Sequence, residues 1–148
     1  MAKTIDYYVE GGGSVECWVV DYGGSGAVPL LTVDTVIEWI EMLGYTVNAT
    51  GNITSAQVQL CLDSVTADIT DAANQFALLR LFATNTSKKN EKTLKGAVAL
   101  TLSVLRNKGA NRGLTSDMII ISNETADKFQ AEYDKAIDDL TNGRNIGA

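Results

Sequence analysis

Val58, Cys61, Leu62, Val65, Ile69, Ala72, Phe76 and Leu79 recur at helical spacing, and no other feature restricts the fold of this chain so tightly. The spacing puts all of them on one stripe of an amphipathic helix. Thr54, followed three residues later by Gln57, has the pattern of a capping box and marks where the stripe begins. A stripe of this length needs other apolar faces to cover it. Asp63, Asp68 and Asp71 lie off the stripe. They read as a solvated helix flank rather than as metal ligands.

The neighbouring segments supply further helices. Asp34 or Thr35 can cap a short one carrying Val36, Ile37, Ile40 and Leu43, with Gly44 in the usual terminating position. "YTVNATGN" is polar and turn-like. In "LKGAVALTLSVLRNKG", Leu94, Val98, Leu102 and Leu105 form a stripe, and Ala97, Ala99, Leu100 and Val104 leave few polar positions. A helix apolar nearly all round is central in its own domain or wedged between subunits. Gly109 ends it. The run Met118–Ile121 is rich in β-branched residues and reads as a short edge strand. A last helix is expected from Ser122 or Asn123 to about Leu140, with Phe129, Tyr133, Ala136, Ile137 and Leu140 as its stripe and Gly143 as its stop.

Residues 1–30 differ in character. "TIDYYVE" and "VECWVVDY" are β-branched and aromatic, and Gly11-Gly12-Gly13-Ser14 separates them, which predicts a β-hairpin or arm. The glycine triplet lacks the Lys-Ser/Thr and the helix of a phosphate-binding loop and is read as a turn. The expected fold is therefore mainly α: a bundle of about four helices over residues 31–148, preceded by an N-terminal β-ribbon over residues 1–30.

The chain has no histidine, which removes the commonest general base and the commonest metal ligand. No catalytic triad, zinc pattern or phosphate loop can be written, so neither an enzyme nor a cofactor or metal site is expected. Cys17 in a strand and Cys61 on the helix stripe read as buried free thiols in a reducing compartment. The sequons at Asn48, Asn52, Asn85 and Asn123 read as loop and cap residues. No membrane span and no signal peptide is expected.

Charge is segregated within the net −6. Residues 1–79 hold Lys3 against ten acids, residues 80–112 hold eight bases against Glu91, and residues 113–148 hold three bases against seven acids. The basic pole centres on "SKKNEKTLK", read as a helix-to-helix loop running into a solvated first turn, with Lys92 and Lys95 near a helix N-terminus where the dipole disfavours them. It lacks the interleaved aromatics and the fold context of specific DNA recognition. Such segregation suits head-to-tail association, one copy's basic side meeting the next copy's acidic side.

"LTVDTVIEWIEMLG", "VQLCLDSVTADITDAANQF" and "FQAEYDKAIDDLTNGRNIG", with Tyr133, Ala136, Leu140 and Gly143 spaced as Tyr-x-x-Ala-x-x-x-Leu-x-x-Gly, follow one another in a familiar order. Over residues 31–146 this order resembles the head–tail connector, or head-completion, proteins of tailed bacteriophages. The lysine-rich "TNTSKKNEK" stands where such proteins often have a Pro-rich link, and the N-terminal ribbon is additional. The resemblance implies a protomer of a ring, twelve-fold in that family, that sits beneath the portal, extends the DNA channel and receives the tail or neck proteins. It implies a virion protein assembled in the host cytoplasm. Within it, Lys88, Lys89, Lys92 and Lys95 would form a positive subunit contact or line the DNA passage without specific binding. Asp134, Asp138 and Asp139, on the exposed side of the last helix, would form the negative contact. Tyr7, Tyr8, Trp18 and Tyr22 would pack an arm against a neighbour. A capsid cement or decoration protein is the alternative expectation.

Overall fold

The computed structural model describes residues 31–75 and 86–146, which form four helices: α1 (Val33–Met42), α2 (Ser55–Asn74), α3 (Thr86–Asn107) and α4 (Ser116–Thr141). The expected mainly helical bundle is what these residues build. Among them the only extended pairing is an isolated bridge between Val47 and Ile53. The β-ribbon, its aromatics Tyr7, Tyr8, Trp18 and Tyr22, Cys17, Phe76 and Leu79 lie outside the described residues.

Local chemistry sets the helix ends. At α2 the capping box is complete: the Gln57 amide donates to the Thr54 hydroxyl (3.2 Å) and the Thr54 amide to Gln57 Oε1 (3.0 Å). At α1 the expected cap, Asp34 or Thr35, is corrected by two or three residues. Thr32 occupies the cap position without a side-chain bond, and Asp34 lies in the first turn, where its carboxylate meets the positive end of the helix dipole. Both α1 and α3 close on left-handed glycines, Gly44 (φ 103°) and Gly109 (φ 65°). The paired bonds Gly44 N–H to Glu41 and Tyr45 N–H to Ile40, repeated at Gly109 and Ala110, satisfy the last carbonyls.

Two boundaries differ from the sequence reading. Met118–Ile121 is not an edge strand. The Thr115 hydroxyl accepts the Met118 amide (3.2 Å) and α4 starts at Ser116, two turns earlier than expected. A β-branched run has no strand partner here among the described residues, and a capped helix satisfies its amides internally. The lysine-rich segment is also helical from Thr86 onward. Lysine and glutamate are good helix formers, and two of the lysines find an acid on the facing helix.

Packing explains the nearly all-apolar α3. It lies against α1, α2 and α4, so it is central within its own domain, and Gly96, Ala97, Val98, Ala99, Thr101, Leu102 and Leu105 are buried. One core cluster joins Val36, Ile40, Val58, Leu62, Val98, Leu102, Leu105 and Phe129, with Trp39 edge-on to Phe129 at 5.1 Å. A second joins Val65, Ile69, Ala72, Tyr133, Ala136, Leu140 and Ile146. Gly96 lets α3 and α4 approach. A Cβ there would come 2.8 Å from two atoms of the Tyr133 ring. The Tyr133 hydroxyl donates to the Val65 carbonyl of α2 (3.3 Å), and burial pushes its pKa up to about 12, with Asp68 and Asp134 adding to the rise.

The polar segment 46–53 is a structured turn. Asn52 accepts the Thr46 amide (2.8 Å) and donates to the Ala110 and Arg112 carbonyls (3.1 Å each), while Arg112 donates to the Thr50 carbonyl (3.0 Å). Asn48 accepts the Thr50 amide. Two of the sequon asparagines are thus loop-building residues. This turn, the α3–α4 connection, the end of α1 and the start of α4 share one region of the bundle, since Gly44 faces Leu114 and Met118.

Candidate functional site

The four lysines do not act as one group. Lys92 and Lys95 lie well inside α3 and turn toward α4, where both donate to Glu132 Oε1, at 3.2 Å and 2.7 Å. Lys95 also pairs with Glu91 one turn before it (3.4 Å) and stands 5.5 Å above the Phe129 ring. The Lys95 hydrogen bond is the chief reason that Glu132 is held below the usual carboxylate range, and the same bond raises Lys95. Lys92 and Lys95 are therefore held by an intramolecular clamp, not at a solvated helix start. Lys88 is exposed and Lys89 half-buried one turn nearer the start of α3.

The three candidate aspartates separate as well. Asp139, expected on the exposed side of the last helix, is 3% exposed. Its carboxylate accepts from Lys135 Nζ (3.0 Å) and from Arg144 Nη2 (3.1 Å) and Nε (3.2 Å). Asp138 is exposed but also takes Arg144 Nη2 (2.9 Å). The chain turns back after α4 through Gly143, and this returns Arg144 to both acids. Asp134 alone of the three is exposed and pairs with no cation among the described residues; it accepts from Gln130 (2.8 Å).

Sequence reasoning missed Glu132 and Arg144, which fix these groups. A signal for Glu132 existed: it lies beside Phe129, Tyr133 and Ala136 at the edge of a core stripe, a costly position for a carboxylate without a partner. For Arg144 no local signal existed, because its role depends on the reversal at Gly143.

Away from the clamps, α1 and α2 gather acids and the end of α3 gathers bases, while α4 mixes exposed Asp117, Glu124, Asp127 and Asp134 with Lys128. Residues 31–75 carry Asp34, Glu38, Glu41, Asp63, Asp68 and Asp71 and no base. All six are exposed and none is ion-paired among the described residues. Arg106, Lys108 and Arg112, at the end of α3 and in the connection to α4, are exposed and equally without an acid partner there. Apolar side chains also face outward: Leu60 on α2, Met42 at the end of α1, and Met118, Ile120 and Ile121 at the start of α4.

Cys61 is buried, and burial raises its thiol pKa, the opposite of what an activated nucleophile needs. Among the described residues no three His, Cys, Asp or Glu side chains converge as metal ligands would. None of the described helices is long and apolar enough to cross a membrane. Comparison with known proteins adds no relative: no family model matches the chain, and neither the curated proteins nor the solved structures contain a match.

Proposed function

We propose that this protein is a structural component of a tailed-phage virion, a protomer of the ring that joins the portal of the head to the tail and extends the DNA channel. The observation that carries the reading is the segregation of charge by element: six exposed acids without a cation partner on α1 and α2, and three exposed bases without an acid partner at the end of α3 and in the connection after it. A monomer gains nothing from holding its unpaired charge apart by sign, whereas copies associating head to tail pair them. The helix order and the Tyr133–Ala136–Leu140–Gly143 spacing, similar to the connector proteins, supply the particular assembly.

Within this reading Lys92 and Lys95 serve the protomer's own fold. Lys88 and Lys89 are the positions proposed to line the passage or meet a neighbour, and Asp134, which pairs with no cation among the described residues, is the acidic one on α4. The test is imaging of the purified protein alone and with portal, at low and high salt. Rings, or a collar on the portal, that dissociate as salt rises support the reading. Failure to bind portal, combined with binding to assembled capsid shells, would replace it with the cement-protein alternative.

A further inference from the structure

We infer that the exposed stripe of α4 from Asp117 to Lys135 is a two-fold contact between copies of this chain, in which the two helices pair antiparallel. The inference stands apart from the ring reading, because a contact of this kind closes on two copies.

Asp117, Ile121, Glu124, Lys128, Ala131 and Lys135 follow one another at alternating steps of four and three residues, which aligns them along one side of a helix. That side is not the one packed in the core. All six residues are exposed, while the core takes the neighbouring stripe from Ser122 to Leu140. The exposed stripe spans roughly 27 Å of helix. Among the described residues Asp117, Glu124 and Lys128 are in no ion pair. Lys135 bonds Asp139 (3.0 Å) but its side chain remains 63% exposed, and its ammonium has further N–H donors to give.

Charge along the stripe changes sign at its middle. The two acids, Asp117 and Glu124, occupy the half nearer the start of α4, and the two lysines, Lys128 and Lys135, the half nearer its end. Ile121, 53% exposed, projects between the acids. Such a stripe cannot meet itself in parallel, which would set each charge against its like. Turned end for end, it meets its own complement.

The spacing also fixes the register. A two-fold axis level with Ala126 brings Asp117 opposite Lys135 of the second copy, Glu124 opposite Lys128 and Ile121 opposite Ala131, and the symmetry makes each pair occur twice. Sliding one helix by seven residues either way leaves only one kind of ion pair and sets Ile121 against Glu124 or Asp138. In the favoured register no like charges meet along the seam. Asp127, the acid nearest the axis, lies roughly 100° round the helix from Lys128 and so off the seam. Asp138 continues the spacing but is taken by Arg144 of its own chain (2.9 Å). The occupant is a second copy because the stripe read backwards is its own complement. Ile121 is the chief apolar group covered, so the dimer is weak and salt-sensitive.

The experiment uses the full chain, its association measured by sedimentation velocity over a range of concentrations at low and high salt. Wild type is expected to show a monomer–dimer equilibrium that salt weakens. Glu124→Lys sets lysine against Lys128, and Lys128→Glu sets glutamate against Glu124. Each variant alone should dimerise about tenfold or more weakly, since two exposed pairs reverse their sign. Mixed in equal amounts, the two should pair with one another as wild type does, and the double variant Glu124→Lys with Lys128→Glu should recover a homodimer. Asp63→Lys on α2 changes the net charge as Glu124→Lys does and should leave dimerisation unchanged. Both α4 positions are exposed, and unchanged circular dichroism checks the fold. A wild-type chain that stays monomeric, single variants that associate as wild type does, a mixture and double variant that fail to recover, or equal weakening by Asp63→Lys would each overturn the contact. Portal imaging decides the ring reading separately.

Discussion

At the scale of single residues, Gly96 and Ser122 make opposite predictions from the same helix pair. Alanine ordinarily exceeds glycine in a helix by about 1 kcal/mol, but at Gly96 the added methyl enters the Tyr133 ring. Gly96→Ala should destabilise by about 1–3 kcal/mol, as overpacked cores do, measured by urea unfolding. The Ser122 hydroxyl is buried without a hydrogen-bond partner, an arrangement that costs about 1–3 kcal/mol. Ser122→Ala should therefore raise the melting temperature, and a fall would show that the hydroxyl is satisfied. Neither position was legible in the sequence. A glycine in an apolar helix looks like a weak point until its neighbour is known, and a serine four residues before Ala126 looks like a cap. Asp139 was misread for a related reason: a carboxylate defaults to solvent, and only the returning Arg144 allows it to be buried.

At the scale of elements, α2 was fully legible over its described length because cap and period agree: Thr54–Gln57 starts the helix at the residue where the Val58–Ala72 stripe requires it. The termini at Gly44, Gly109 and Gly143 were legible too. The start of α4 was not, since four consecutive apolar residues have no period and their β-branching argues for a strand. The first turns of α3 were hidden because what favours them is Glu132, forty residues from Lys92. That clamp joins α3 to α4 and predicts a pH dependence. The folded pKa of Glu132 lies below its unfolded value of about 4.5, so its contribution is present above that pH and is lost as pH falls through the folded pKa. Glu132→Gln should cost about 1–3 kcal/mol near pH 7, the range for hydrogen bonds to charged groups. The gap between variant and wild type should close as pH falls through the folded pKa, and a gap constant from neutral to acid in urea titrations would show that the ion pair contributes nothing.

At the scale of the whole molecule, the separation between clamped and unpaired charge divides internal from external roles. On the proposed ring, Lys88→Glu with Lys89→Glu, which leaves the Glu132 clamp intact, should lower ring formation, portal attachment or virion yield. Unchanged assembly and unchanged yield would remove these lysines from any contact. The central position of α3 has a further consequence, which concerns time. Its contacts with α2 and α4 join helices adjacent along the chain, as does α1 against α2; α1 with α3 and α2 with α4 add the longer closures. Chains whose contacts are this local pass their barrier fast, in the microsecond-to-millisecond range of helical bundles. Stopped-flow refolding of wild type should be complete within about the first milliseconds. On the ring proposed above, a protomer that reaches its final shape within milliseconds would meet its neighbours already folded, so the pace of collar formation would be set by encounter between copies and would rise with their concentration.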